Sequence, residues 1–244
     1  MPIFSDTGVP LPSSFTVLRA IVFDLDGTLI NSYDAIAGSL NHAMATLGHP
    51  PIPEADVRRM VGYGLEDLLA RALDIPVEHA DRQARIVEGV RLFRERYDQV
   101  CEAETTLLPG VAVTLSQLGA RGYRMAVATN KASYFARRLL SALGVGTYLS
   151  AVVGPDLVTH KKPHPEMIET ALAAMGARRE ETVYVGDMEV DVQTARAAGL
   201  PVIVLPTGSC SAVDLERTGA DLLLPSFADL LDLLPGPSPE SPSP

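Results

Sequence analysis

The folded part of the chain begins with a short unbroken apolar run, Ala20 to Phe23, that stops at Asp24. A run without polar alternation is what a strand buried on both faces of a parallel sheet requires. Asp34 to Leu47 then carries apolar residues at Ile36, Leu40, Met44 and Leu47, a helical spacing that Pro50, Pro51 and Pro53 interrupt. From Glu54 to Tyr97 no strand pattern occurs. Val57, Met60 and Val61 predict a short helix, Leu65, Leu68, Leu69 and Leu73 a second, and Ile86, Val90, Phe93 and Tyr97 a third.

Beyond Pro109-Gly110 the pattern changes to an alternation. Val111, Leu115 and Leu118 predict a helix, Met125 to Ala128 a strand, Tyr134 to Leu143 a helix, and Ala151 to Val153 a strand. Met167 to Met175, Val190 to Ala198 and Phe227 to Leu234 continue as helices, with strands at Val183 to Val185, Val202 to Leu205 and Leu222 to Leu224. Strands separated by helices of this length imply a doubly wound parallel sheet of the α/β class, here with an α-helical insertion after the first strand.

Composition sets the outer limits. A chain of 244 residues that is 47% hydrophobic and 20% charged can bury a full core. A net charge of −10, with no Lys/Arg run longer than two, argues against nucleic acid as a partner. Cys101 and Cys210 are too few and too far apart for a disulfide framework or a zinc site, and read as free thiols of a reducing cytoplasm. No apolar stretch approaches a membrane span, and the Pro- and Ser-rich residues 1–16 have no signal-peptide pattern; they read as a loose extension, and the Pro/Ser-rich residues 235–244 as a disordered tail.

Chemistry enters at the strand ends. Asp24 and Asp26 follow the first strand two residues apart, so both emerge on one side of an extended segment. The Met125 strand runs into Thr129-Asn130-Lys131, the Val183 strand into Gly186-Asp187, with Asp191 four residues on, and Lys161-Lys162-Pro163-His164-Pro165 precedes the Met167 helix. In a parallel sheet all carboxyl ends share one edge, so these groups converge on one site. Four carboxylates in one crevice repel one another unless a cation neutralises them, and Mg²⁺ suits oxygen ligands of this kind. Asp187 and Asp191 share a helix face, and Thr129, Asn130 and Lys162 supply the donors that a phosphoryl group needs.

Asp24-Leu25-Asp26-Gly27-Thr28, Thr129-Asn130-Lys131, Lys162-Pro163-His164-Pro165, and Gly186-Asp187 with Asp191 and Ala198-Gly199 together resemble the four ordered motifs of the haloacid dehalogenase superfamily. The insertion between Ser32 and Pro109 resembles the small helical cap of its phosphoglycolate phosphatase-like subfamily. The resemblance implies a core of residues 17–31 and 109–234, a cap of residues 32–108, and Mg²⁺-dependent hydrolysis of a small phosphorylated metabolite. It further implies Asp24 as nucleophile, Asp26 as general acid and then base, and Thr129 and Lys162 as holders of the phosphoryl oxygens. The ion would lie on the Asp24 carboxylate, the Asp26 backbone carbonyl and Asp187, with Asp191 a direct or indirect partner. Met188, where Thr or Ser is common, and Asn31, where Asp is common, depart from the family pattern.

Within the cap, Gly62-Tyr63-Gly64 resembles the subfamily's substrate-specificity loop, although a plain helix-helix turn accounts for it equally. Arg58, Arg59 and Arg71 are candidates to meet an anionic end of the substrate. Arg82, Arg85, Arg91, Arg94 and Arg96 read as solvated helix faces, Lys161 as an ordinary exposed lysine, and the five histidines as surface or loop residues with no spacing for a metal site. The expected product is a cytoplasmic monomer or homodimer. The same motifs admit a pyrophosphatase or a phosphosugar mutase, and a non-enzymatic phospho-acceptor module is the reading from another class. Against that module stands the insertion, whose size suits a lid that excludes water and selects substrate.

Overall fold

The structure, a computed structural model, describes residues 18–235. The expected N-terminal extension and all of the expected tail but Pro235 therefore lie outside the described residues. In chain order, β1 (Ala20–Phe23) and the short β2 (Ile30–Asn31) lead into helices α1 (Tyr33–Thr46), α2 (Glu54–Met60), α3 (Leu65–Leu73) and α4 (Arg82–Val100). The chain returns through β3 (Thr106–Leu107) and continues as α5 (Val111–Ala120), β4 (Arg124–Ala128), α6 (Ser133–Ala142), β5 (Ala151–Val153) and α7 (Glu166–Met175). It ends in β6 (Thr182–Gly186), α8 (Glu189–Ala198), β7 (Val202–Val204), α9 (Ala212–Glu216), β8 (Leu222–Leu223) and α10 (Leu230–Leu233).

Six strands form one parallel sheet in the order β5-β4-β1-β6-β7-β8. The chain builds outward from β1 in one direction through β4 and β5, then in the other through β6, β7 and β8. The reversal point therefore lies at the carboxyl end of β1, where open α/β sheets place ligands. Register is fixed on both sides of β1, with Phe23 opposite Val127 and Val185.

Alternation assigns each strand side chain to one of two cores. Ile21, Phe23, Met125, Val127, Val183, Val185 and Ile203 join one apolar cluster; Ala20, Val22, Ala126, Ala128, Tyr184, Val202 and Val204 join the other. Ala126 and Ala128 of the second set let α7 lie close to β4. The first cluster does not stop at the sheet. It runs on through Leu25, Leu29 and Tyr33 into Leu68, Leu69, Phe93 and Tyr97, so α1 to α4 share a continuous apolar core with one sheet face.

The two-residue strands β2 and β3 pair antiparallel, Ile30 with Leu107 and Asn31 with Thr106, so the two passages of chain into and out of the helical layer are joined side by side. Neither strand was legible in advance, since two residues carry no period. The same holds for α9, whose single buried apolar residue is Leu215. The expected closing helix begins instead as a 3-10 turn at Phe227–Asp229, and Val61 lies beyond the end of α2 with extended backbone.

Candidate active site

Asp24 immediately follows β1, and its backbone N–H still donates to Val185 O at 2.8 Å, so the ladder holds the residue in place. Its Oδ1 accepts from Lys162 Nζ at 2.6 Å, and the same ammonium donates to Asp191 Oδ1 at 2.8 Å. Burial pushes the Asp24 carboxyl up to about 7 against the opposing pull of Lys162, with Asp191 and Asp26 adding to the rise. Burial acts on Lys162 in the other direction, but Asp191 and Asp24 outweigh it and its pKa is raised. Lys162 is therefore charged.

Asp191 is saturated. Besides Lys162, its oxygens accept from the Tyr184 hydroxyl at 3.2 Å and from the backbone N–H groups of Asp187 and Met188 at 3.1 Å each. The last two cap the start of α8, as an acidic residue in a first turn is suited to do.

Asp187 differs. Its Oδ1 accepts from Thr28 Oγ1 at 2.7 Å, while its Oδ2 is buried with no partner. Burial, then the charges of Asp191 and Asp24, push its pKa well up. Glycine leaves room around that oxygen: a Cβ at Gly208 would stand 1.6 Å from Oδ2, and one at Gly27 2.5 Å. Carboxylate oxygens of Asp24, Asp187 and Asp191 lie within 4.8 Å of one another, all buried. An all-oxygen donor set, an orphaned buried oxygen and an excess of negative charge that Lys162 alone does not cancel fit a divalent cation.

Asp24 and Asp26 line a cavity of about 230 Å³ that α3 and α4 also line through Leu65, Leu68, Phe93 and Tyr97. Asp26 Oδ1 accepts from Ser32 Oγ and forms an ion pair with Lys131 Nζ at 3.1 Å. Thr129 lines the cavity, and its Oγ1 accepts from Lys131 N–H at 3.1 Å. The Asn130 amide is engaged at both ends: Oδ1 accepts from Lys162 N–H at 3.1 Å and Nδ2 donates to Gly62 O at 2.8 Å. Gly62 and Gly64 line the cavity with φ of 122° and 96°, and a Cβ at Gly62 would meet Met188 Sδ at 2.4 Å. Met188 thus fills the space under this loop. The Tyr63 ring lies away from the cavity lining, with Arg71 4.9 Å from its centroid.

Several side chains stand where the sequence reading did not put them. Lys161 is exposed, as expected, but it also lines the cavity and donates from Nζ to Tyr63 O at 2.7 Å. Arg58 donates to the carbonyls of Thr207 and Gly208 and lies over the Tyr33 ring; Arg59 pairs with Asp56 and Arg71 with Asp67. None of these three lines the cavity. Arg94 is exposed, as a solvated helix face requires, and it also lines the cavity, with no hydrogen-bond or ion-pair partner among the described residues. Its i, i+3 spacing from Tyr97 on α4 was the available signal. Lys131 belongs to the Thr129-Asn130-Lys131 run, but its side-chain partners, Asp26 and Tyr97, are on other segments, so the sequence alone gives it no role. At the surface, His160, His164 and Glu166 cluster, with His160 Nδ1 2.9 Å from Glu166 Oε2, although their sequence spacing suggested no association.

A model of the haloacid dehalogenase-like hydrolase family matches residues 21–205. The chain is 36% identical over 223 residues to a phosphoglycolate phosphatase of Pectobacterium atrosepticum, covering 91% of this chain and 94% of that protein. It is 34% identical over a 250-residue alignment to a phosphoglycolate phosphatase of Escherichia coli strain K12, covering 94% and 97%. Among solved structures it is similar to a predicted phosphoglycolate phosphatase from Haemophilus somnus 129PT, with a TM-score of 0.79 and 31% identity over 88% of this chain and 97% of that one. It is also similar to CbbY from Rhodobacter sphaeroides in complex with phosphate, with a TM-score of 0.72 and 29% identity over 87% and 96%. The chain belongs to the haloacid dehalogenase-like hydrolase family. It is an enzyme, a phosphoric monoester hydrolase of the phosphoglycolate phosphatase-like kind. No helix among the described residues is long and apolar enough to cross a membrane.

Proposed function

We propose that the protein is a Mg²⁺-dependent cytoplasmic phosphatase that hydrolyses phosphoglycolate through an aspartyl-phosphate on Asp24. The observation that carries this reading is Asp24 itself, lining the cavity with Oδ1 held by a buried lysine and Oδ2 left for attack. Asp24 Oδ2 bonds to phosphorus as the ester P–O bond breaks, and the departing oxygen takes a proton from Asp26. Asp26 then takes a proton from water as its oxygen attacks phosphorus, the Asp24–phosphorus bond breaks, and inorganic phosphate leaves. Thr129 and Lys162 hold the phosphoryl oxygens.

The carboxylates of Asp24 and Asp187 and the backbone carbonyl of Asp26 would hold the ion. When bound, Mg²⁺ supplies neutralisation of the carboxylate cluster and polarisation of the phosphoryl group. Asp191, with its oxygens taken by four donors, keeps Lys162 and the start of α8 in position. Phosphate monoesters hydrolyse so slowly unaided that enhancements of up to ~10²¹ are needed, whereas one acid-base group supplies about 10²–10⁴, so the nucleophile, ion and donors share the larger part.

Two features support phosphoglycolate. The relatives at about 35% identity carry that name, and the cavity presents Arg94, an exposed cation with no partner among the described residues, which suits a carboxylate. The test is phosphate release by the purified protein with Mg²⁺ across a panel of monoesters. Phosphoglycolate should rank first and Asp24→Asn should abolish turnover; no release from any monoester, or full turnover by the variant, overturns the reading.

A further inference from the structure

Lys131 is a nearly buried lysine that the reaction scheme above leaves without a task. Its side chain is 9% exposed, and its Nζ stands between Asp26 Oδ1 at 3.1 Å and the Tyr97 hydroxyl at 2.9 Å. The ammonium also lies 4.8 Å from the Tyr97 ring centroid. Asp26 follows β1 and Lys131 follows β4, whereas Tyr97 belongs to α4. The contact therefore passes from the helical layer to the sheet edge.

Tyr97 is a fixed anchor. It is 1% exposed, stacks on Phe93 at 5.4 Å and meets Phe135 edge-on at 5.1 Å. An ammonium in such surroundings is stable only with its partners in place, and the Asp26 carboxylate and the Tyr97 hydroxyl are those partners. Removing the hydroxyl leaves Lys131 with Asp26 alone and free to swing toward the cavity. Ser32 Oγ donates to the same Asp26 oxygen that Lys131 holds. With both donors on Oδ1, Oδ2 is the oxygen left to carry a proton.

We propose that Tyr97 and Lys131 are positioning residues that aim Asp26 for proton transfer, so that the proton step is competent only while α4 lies against the sheet edge. The inference rests on the reading of Asp26 as general acid and base. In the first half-reaction the proton on Asp26 Oδ2 passes to the ester oxygen as its bond to phosphorus breaks. Lys131 and Tyr97 exchange no proton and form no bond to substrate.

The experiment uses leaving groups that differ in their need for that proton. An alkoxide such as that of phosphoglycolate needs it; p-nitrophenolate departs without it. Tyr97→Phe keeps the ring and its packing and removes only the hydroxyl. With Mg²⁺ present, Tyr97→Phe should lower kcat/KM for phosphoglycolate by about 10-fold, a fraction of what a full acid-base group supplies, and that for p-nitrophenyl phosphate by less than about 2-fold. Lys131→Met should show the same asymmetry. Equal losses on both substrates, as a merely structural role gives, or no loss on either, overturn the proposal. Asp26→Asn in the same assays separates the two levels. If its loss is also independent of leaving group, the acid role of Asp26 is wrong; if only Asp26→Asn shows the asymmetry, the positioning role is wrong.

Discussion

Asp187 Oδ2 has no partner inside the protein, and glycines at 27 and 208 keep the space around it clear. A buried carboxylate arranged this way destabilises the fold unless a cation binds, which is the conflict between stability and function expected at a site. Asp187→Asn keeps the bond from Thr28 to Oδ1 and removes the repulsion. It should stabilise the metal-free protein by about 1–3 kcal/mol and abolish the rise in melting temperature expected when Mg²⁺ is added to the parent, both read by thermal denaturation with and without the ion.

Arg94 makes the other prediction of this kind. Arg94→Ala should lower kcat/KM for phosphoglycolate by 10-fold or more, about 1.4 kcal/mol, yet leave a monoester without a carboxylate within about 2-fold. Equal effects on the two substrates would show that Arg94 does not read the carboxylate. The convergence of Asp24, Asp26, Thr129, Asp187 and Asp191 was legible in the sequence because each is tied to a strand end or helix start, and that of Lys162 because it stands beside Pro163 ahead of α7. That Arg94, Lys131 and Lys161 line the same cavity was not, because where a long cation ends depends on which elements face it.

Among the elements, the connection from α7 to β6 shows how a local polar network fixes a central strand. Glu181 ends the 3-10 turn Arg179–Glu181; its Oε1 accepts from Arg178 N–H at 3.0 Å, and its carboxylate pairs with Arg178 and with Arg124 at the start of β4. Burial pushes its pKa up, but these bonds together outweigh it and hold the group below the usual 4.5. A pKa lowered in the folded state stabilises fully above the unfolded value and is lost as pH falls through the folded one. Glu181→Gln should therefore cost about 1–2 kcal/mol at pH 7, with the difference from the parent shrinking as pH falls below 4.5, measured by urea denaturation. The helices and long strands were readable because periodicity is a local property; β2 and β3 exist only because two distant segments meet.

Across the molecule, three donors hold the helical layer to the sheet side by backbone carbonyls. Arg58 reaches Gly208 O at 3.0 Å, Asn130 reaches Gly62 O at 2.8 Å and Lys161 reaches Tyr63 O at 2.7 Å. We propose that this is the closed state of a cap of residues 32–108, which rotates about the β2–β3 ribbon on segments 28–32 and 108–109. Arg58→Ala should speed hydrogen exchange in α2 and residues 61–65 by about 2- to 5-fold and raise KM more than it lowers kcat. Unchanged exchange there would mean that Arg58 does not latch the cap.

By itself, the sequence determined the strand and helix alternation, the insertion after β1 and the set of carboxylates at one sheet edge. These follow from short unbroken apolar runs, from the 3.6-residue helical period and from the rule that parallel strands end on one side. Only the tertiary structure decided which donor meets which acceptor. Tyr97 and Lys131 are 34 residues apart, and Asn130 and Gly62 are 68 apart. Their encounter depends on the apolar core that seats α3 and α4 over the end of β1, where the packing of many residues, not any local pattern, sets the distances.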